Sequence, residues 1–236
     1  MTGSSIYAQP AYILQHKPYR ESSLILEVFT QDFGLLTLLA KGVRKAKSRT
    51  AGVLLPFSLL HISYLDRHEL KLLLDVELLE QHVLARLSLY CGFYVNELLQ
   101  RFLQLQDPNP ELFVRYQQVL QQLARVQDAE VERCLRFFEL DLLEQAGYGV
   151  VLDRDARSGK PVLSDQVYAY QPDFGMVADA RGHVNGSTLL ALTARTALGS
   201  VEQQQAKQLL RLMLAPYLQG KPLKSRAVLA RVMHYL

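Results

Sequence analysis

The spacing of apolar residues changes once along this chain, close to residue 80, and that change limits the fold more than any other feature. Before it, apolar, β-branched and aromatic residues come in five short segments: Ala11–Pro18, Ser23–Thr30, Leu35–Ala40, Leu54–Leu65 and Leu70–Leu79. Turn chemistry separates them, with QDFG at Gln31–Gly34, a loop holding Gly42 and Gly52, and DRHE at Asp66–Glu69. Runs of this length between turn residues read as strands. Five of them in some eighty residues imply a small closed barrel. An OB-fold is the favoured form and an SH3-like barrel the runner-up.

From Val83 the period is that of a helix. Leu84, Leu87, Cys91, Tyr94, Val95, Leu98, Phe102 and Leu105 share one helical face, and DPNP at Asp107–Pro110 ends the run because proline cannot donate a backbone hydrogen bond. Two more helices are expected, Glu111–Val126 and about Glu130 to Ala146, with Gly147 as a C-terminal cap. Tyr148–Gly186 is rich in glycine and reads as an irregular insertion or small hairpin module. Helices resume at Ser187–Leu198 and Val201–Leu218, with Ser187 and Ser200 as N-caps, and a last one covers Ser225–Tyr235. The expected class is therefore α+β and multidomain. It comprises a barrel over 1–80, a helical domain in two parts, 81–147 and 187–236, and an insertion at 148–186 between them.

At 236 residues and 21% charged, the chain has the length and composition of a globular protein. No apolar run approaches the ~18 residues of a membrane span. The N-terminus lacks the charged and apolar regions of a signal peptide. Cys91 and Cys134 lie far apart within helical patterns, as buried thiols of a cytosolic protein would. A cytoplasmic chain is expected.

Charge is distributed unevenly. In LLAKGVRKAKSR five cations (Lys41, Arg44, Lys45, Lys47, Arg49) fall within nine positions, and no acid occurs between Asp32 and Asp66. A one-signed loop at a strand end suits a polyanion, since each neutralised phosphate releases condensed counterions. The plainer reading is a solvated surface loop. A second cluster, Lys221, Lys224 and Arg226, lies between a helix end and a helix start, where Ser225 is a possible N-cap. A helix N-terminus among cations is an anion site, or else this is an interhelical turn with incidental cations. The barrel aromatics Tyr12, Tyr19, Phe29, Phe33, Phe57 and Tyr64 could stack on bases, although aromatics at strand positions are mostly core.

Signals for catalysis or metal binding are missing. Asp153 and Asp155 lack the spacing of a calcium loop and read as a solvated turn. The six histidines show no paired-ligand spacing, and there is no CxxC, phosphate loop or nucleophile elbow. No metal, no cofactor and no enzymatic activity are expected. A nuclease would need a clustered carboxylate site, and a protein-only adaptor would not bind DNA at low salt.

Four segments resemble a known family: FTQDFGLLTLLAKGVRKAKSR at Phe29–Arg49, GFYVNELLQ at Gly92–Gln100, FELDLLEQAGYG at Phe138–Gly149, and PYLQGKPLKSR at Pro216–Arg226. In this order they closely resemble RecO, the bacterial DNA repair and recombination mediators. The resemblance implies an N-terminal OB-fold, a helical domain and a zinc-ribbon-like insertion. It implies binding of single- and double-stranded DNA, strand annealing, and, with RecR, loading of RecA onto DNA coated by the single-stranded DNA-binding protein. A nucleoid-associated location follows. Many members hold zinc with four cysteines in the insertion. This chain has none there, so it resembles a zinc-free branch whose insertion is held by packing and turns. The resemblance also implies binding of the acidic, apolar C-terminal tail of the single-stranded DNA-binding protein. Such a tail needs an apolar groove with a cation at its rim. Arg125, Arg133 and Arg136 in the helical domain are the candidates, with ordinary helix-surface arginines as the alternative.

Overall fold

The structure, a computed structural model, describes residues 4–45, 48, 50–218 and 220–234. It divides into two compact units, one of residues 1–125 and 225–236, the other of 126–224.

The first unit is built on five strands: β1 (Ser4–Tyr19), β2 (Ser23–Thr30), β3 (Gly34–Ala40), β4 (Ser58–Asp66) and β5 (Leu70–Gln81). They close a barrel in the order β1-β2-β3-β5-β4. All pairings are antiparallel except β3 with β5, where Thr37–Leu39 run parallel to Leu70–Leu72. That order is the OB-fold and not the SH3-like alternative. Alternation is clearest on β4, where Ser58, Leu60, Ile62 and Tyr64 turn inward and the residues between them do not. Leu60, Ile62 and Tyr64 meet Ala11, Ile13, Leu26, Val28, Leu36 and Leu38 in the barrel core.

Strand β1 starts seven residues before the apolar pattern does. It serves two neighbours, pairing Ser4–Tyr12 with β4 and Ala11–Tyr19 with β2. Register shifts between Ile6 and Gln9, with Ala8 at φ 48°, and between Ile13 and Gln15 bend it from one to the other. At the other end of the barrel Leu54–Phe57 is not strand. Leu54 and Phe57 are buried from loop positions, so apolar character there reports burial without reporting strand.

Helices α1 (Arg86–Phe102) and α2 (Pro110–Arg125) belong to this same unit. Tyr12 and Phe29 have no exposed surface, and their rings meet Phe113 of α2 at 5.4 Å each. Tyr116 stands edge-on to Tyr12 at 4.9 Å and donates its hydroxyl to Asn96 Oδ1. Asn96 in turn donates to the Leu14 carbonyl, so one polar residue of α1 ties α2 to the barrel wall. Asn109 caps α2 by accepting the Leu112 N–H at 2.9 Å. Gly34, at φ +64°, admits the Asp107 backbone so closely that an added Cβ would lie 2.1 Å from its carbonyl oxygen. The last element, α6, spans Lys224–His234.

The second unit holds α3 (Asp128–Gln145), a sheet of β6 (Val167–Gln171), β7 (Gly175–Ala178) and β8 (Val184–Asn185) in the order β7-β6-β8, then α4 (Gly186–Ala194) and α5 (Ser200–Leu214), followed by a 3-10 turn at Ala215–Leu218. The insertion is thus an ordered hairpin with a third short strand. Gly147 ends α3 at φ +80°, as expected. The serine caps are corrected. Asn185 and Gly199 occupy the N-cap positions, and Ser187 and Ser200 lie inside their helices. Helix α4 begins one residue before Ser187, at Gly186, which lies so close to the Leu163 carbonyl that a Cβ would sit at 1.9 Å. Gln205 of α5 accepts from the Asn185 N–H and the Thr188 hydroxyl, and Lys207 pairs with Glu132 of α3.

Candidate nucleic-acid interface

Where β3 ends at Ala40, the chain turns through Lys41–Lys45. Val43 points back into the barrel core and Gly42 supplies φ +71°, so the turn is anchored while Lys41, Arg44 and Lys45 stay exposed. The Arg44 N–H donates to the Ser22 carbonyl at 2.9 Å, and its guanidinium donates to the Arg20 carbonyl at 3.2 Å. These bonds hold the basic turn against the β1–β2 turn. There Arg20 adopts φ +51° and lays its guanidinium over the Tyr19 ring at 5.2 Å. A shallow groove of about 430 Å³ runs between the two turns, lined by Tyr19, Arg20, Ser22, Ser23, Lys41 and Lys45. Lys47 and Arg49 lie outside the described residues. Sequence reasoning missed Arg20, an isolated cation next to Glu21 with no run to mark it. Of the barrel aromatics, Tyr12, Phe29, Phe57 and Tyr64 are buried, and Phe33 stands edge-on to Tyr64. Tyr19 is the one placed among the cations.

The C-terminal cluster is arranged differently. Glu97 of α1 occupies the first turn of α6, accepting both the N–H and the hydroxyl of Ser225 at 2.8 and 2.6 Å. Ser225 is therefore not the N-cap, and the protein's own carboxylate fills the anion position at that helix start. Arg226 is half-buried, donates to the Tyr94 hydroxyl and covers that ring at 5.7 Å. Lys221 and Lys224 are exposed and belong to the second unit.

The three arginines considered for a protein tail are not brought together in one unit. Arg125 ends α2 in the first; Arg133 and Arg136 lie on α3 in the second. Arg133 pairs with Glu130. Arg136 is only 6% exposed and bonds the buried Glu139 at 2.6 Å, so it is a core ion pair and not a surface arginine. A cleft of about 470 Å³ opens elsewhere in this unit, lined by Leu140, Leu143, Leu152, Leu192 and Met213 together with the acids Glu144 and Asp153. Arg195 stands at its edge, at the left-handed C-cap of α4, and donates to Asp141 and to the Phe137 carbonyl at 2.7 Å each.

The family model for the N-terminal part of recombination protein O matches residues 1–82, and the model for its C-terminal part matches residues 84–227. The chain belongs to the RecO family. A DNA repair protein RecO from Methylococcus capsulatus is 42% identical over 226 residues, spanning 94% of this chain and 93% of that one. Proteins of the same name from Photobacterium profundum and Haemophilus influenzae are each 40% identical over 222 residues, 92% of this chain and 93% of theirs. A role in DNA repair and recombination comes with that membership.

The four-cysteine zinc site implied by the resemblance does not fit the insertion, which has no cysteine between Tyr148 and Gly186. Among the described residues there is no group of three or more His, Cys, Asp or Glu placed to hold a metal ion. The turn Arg154–Lys160 is organised by Asp155 instead. It is 6% exposed and not the solvated turn residue that its surroundings in sequence suggest. Its Oδ1 accepts the N–H groups of Arg157 and Ser158 and the Ser158 hydroxyl; its Oδ2 accepts the Ala178 N–H from β7. Those donors, the Ala178 N–H foremost, push its pKa down to about 2. One carboxylate thus ties the turn to the hairpin. Among the described residues, no helix is long and apolar enough to cross a membrane.

Proposed function

We propose that this RecO protein is a non-enzymatic mediator of DNA repair. It binds single- and double-stranded DNA, anneals complementary strands, and with RecR helps load RecA onto DNA coated by the single-stranded DNA-binding protein. It works without a metal or other cofactor. The observation that carries this is the cationic groove on the barrel, lined by Tyr19, Arg20, Lys41 and Lys45, with Arg44 bracing the adjoining turn through the Arg20 carbonyl. The Arg44 guanidinium is held by the Arg20 carbonyl and the Arg20 guanidinium lies over the Tyr19 ring, while Lys41 and Lys45 are exposed beside them. Such cations contact phosphates without selecting bases, which suits a protein that must act at any gap. Neutralising the backbone also lets two complementary strands approach each other.

The tail of the single-stranded DNA-binding protein is assigned to the second unit. There the cleft lined by Leu140, Leu192 and Met213 offers apolar surface, and Arg195, paired with Asp141, is the cation in its lining beside the acids Glu144 and Asp153. A labelled tail peptide in fluorescence anisotropy checks this. Thr193→Glu, which adds a further acid to the same cleft, is expected to weaken the peptide about tenfold or more.

The DNA assignment is tested by titrating labelled single strands across a salt series. Replacing Arg20, Lys41, Arg44 and Lys45 by alanine is expected to lower affinity for every sequence alike. If three of the four touch phosphate, the log–log salt slope should fall by about 2, at ~0.7 per contact. A folded variant with wild-type affinity and slope would overturn the placement, and Lys221 and Lys224 would be the next residues to replace.

A further inference from the structure

The second unit carries an aromatic cleft that the barrel groove leaves without a role. It has a volume of about 510 Å³, within the range of ligand pockets, and is walled by residues from four separate stretches of chain. Tyr148 follows α3 and is fixed by its N–H to the Leu143 carbonyl at 2.7 Å. Tyr217 comes from the turn after α5, and the two rings stack in parallel, with centroids 3.8 Å apart and planes 21° apart. Tyr170 comes from β6. Phe174 projects from the tip of the β6–β7 hairpin between two positive-φ residues, Asp173 at 62° and Gly175 at 120°.

Two of these rings face solvent, with Phe174 53% and Tyr148 44% exposed. Aromatic surface left open at a hairpin tip does not stabilise this small module. Charge indicates what covers it. The cleft edge carries Arg154, and the same turn presents Arg157 and Lys160, all exposed. The one acid within that turn, Asp155, has its oxygens engaged by the four donors described above, so the turn presents its cations outward. The other acid in the cleft lining is Asp173, set at the hairpin and not on the cationic turn, and Asp153, partly exposed, precedes Arg154 in the chain.

We infer that this cleft binds unpaired DNA, stacking bases on the Tyr148–Tyr217 pair and Phe174 while Arg154, Arg157 and Lys160 hold the adjoining phosphates. Every base has a π-face, so such a platform is tolerant of sequence. A duplex keeps those faces stacked internally and cannot use it. The Asp173 carboxylate is suited to accept from a base amino group, which favours cytosine over thymine. The contact is separate from the barrel groove and gives the protein a second place to engage a strand.

The chain contains no tryptophan, so a single introduced indole reports on this site alone. The Phe174→Trp variant of the full chain keeps a stacking ring and is titrated with a (dC) oligomer, a (dT) oligomer and a duplex. Saturable quenching of the indole by single strands, stronger for (dC) and missing for the duplex, is expected. Adding Tyr148→Ala should weaken that quenching about tenfold or more, whereas Tyr148→Phe should retain it. In the barrel variant lacking Arg20, Lys41, Arg44 and Lys45, the quenching should persist, which separates failure of one site from failure of the other. Binding of single strands that leaves the indole unquenched, or equal quenching by the duplex, would overturn the assignment. So would quenching by an apolar acidic peptide but not by DNA.

Discussion

Asp155→Ala is the most direct test of how a RecO insertion holds together without cysteine ligands. The substitution removes four hydrogen bonds and leaves three backbone N–H groups, of Arg157, Ser158 and Ala178, without their acceptor. A hydrogen bond to a charged group contributes about 1.5–3 kcal/mol, but these donors lie near the surface and water recovers part of the loss. A net cost of about 2–3 kcal/mol follows, well short of the sum of the four. Asp155→Asn keeps an acceptor for the Arg157–Ser158 side but turns an N–H₂ toward the Ala178 N–H, so an intermediate cost of about 1–2 kcal/mol is expected. For a chain of this size, ~2–3 kcal/mol corresponds to roughly 4–12 °C in Tm if unfolding is cooperative. Amide hydrogen exchange locates the effect: Ser158 and Ala178 should lose protection first. The pH dependence has a definite sign. A folded-state pKa of about 2 lies below the ordinary carboxylate value of 3.8, so the contribution is present above pH 4 and lost as pH falls toward 2. Unchanged exchange at Ser158 and Ala178 in Asp155→Ala would refute the role of this carboxylate.

Three further outcomes are expected. Gly34→Ala should destabilise the first unit by about 3 kcal/mol or more in denaturant titration, because its Cβ would meet the Asp107 carbonyl at 2.1 Å and φ +64° is strained for alanine. Glu139→Ala should cost about 3–5 kcal/mol by leaving Arg136 charged and buried, while Glu139→Leu with Arg136→Met should recover most of it; equal losses in single and double variants would contradict the pairing. Glu97→Ala should raise hydrogen exchange at Ser225 and along α6 and cost about 1–2 kcal/mol, since the carboxylate accepts both Ser225 donors.

Periodicity decided much of this protein from sequence alone. Strand β2 spans the same residues as its apolar run, and α2 and α3 begin and end within two residues of theirs, because alternation and the 3.6-residue repeat are local properties. The basic turn after β3 was legible for a similar reason, being a dense run of one charge, and the lack of cysteines in the insertion is a matter of composition. Strand β1 was half legible. Its first residues are shaped by bulges and by a second neighbour, neither of which leaves an apolar pattern.

What the tertiary structure alone decided is which side chains meet. Arg20 lies 24 residues before the turn it braces, Ala178 lies 23 residues after the carboxylate it donates to, and Ser225 lies 128 residues from Glu97. The sequence marks Arg136 as one more helix arginine; packing buries it beside Glu139 and so turns a surface charge into a core pair. Local spacing sets which residues share a face of one element. The partner of a charge is set by how elements from distant parts of the chain pack, and a buried or bridging charge requires a partner that no local pattern records.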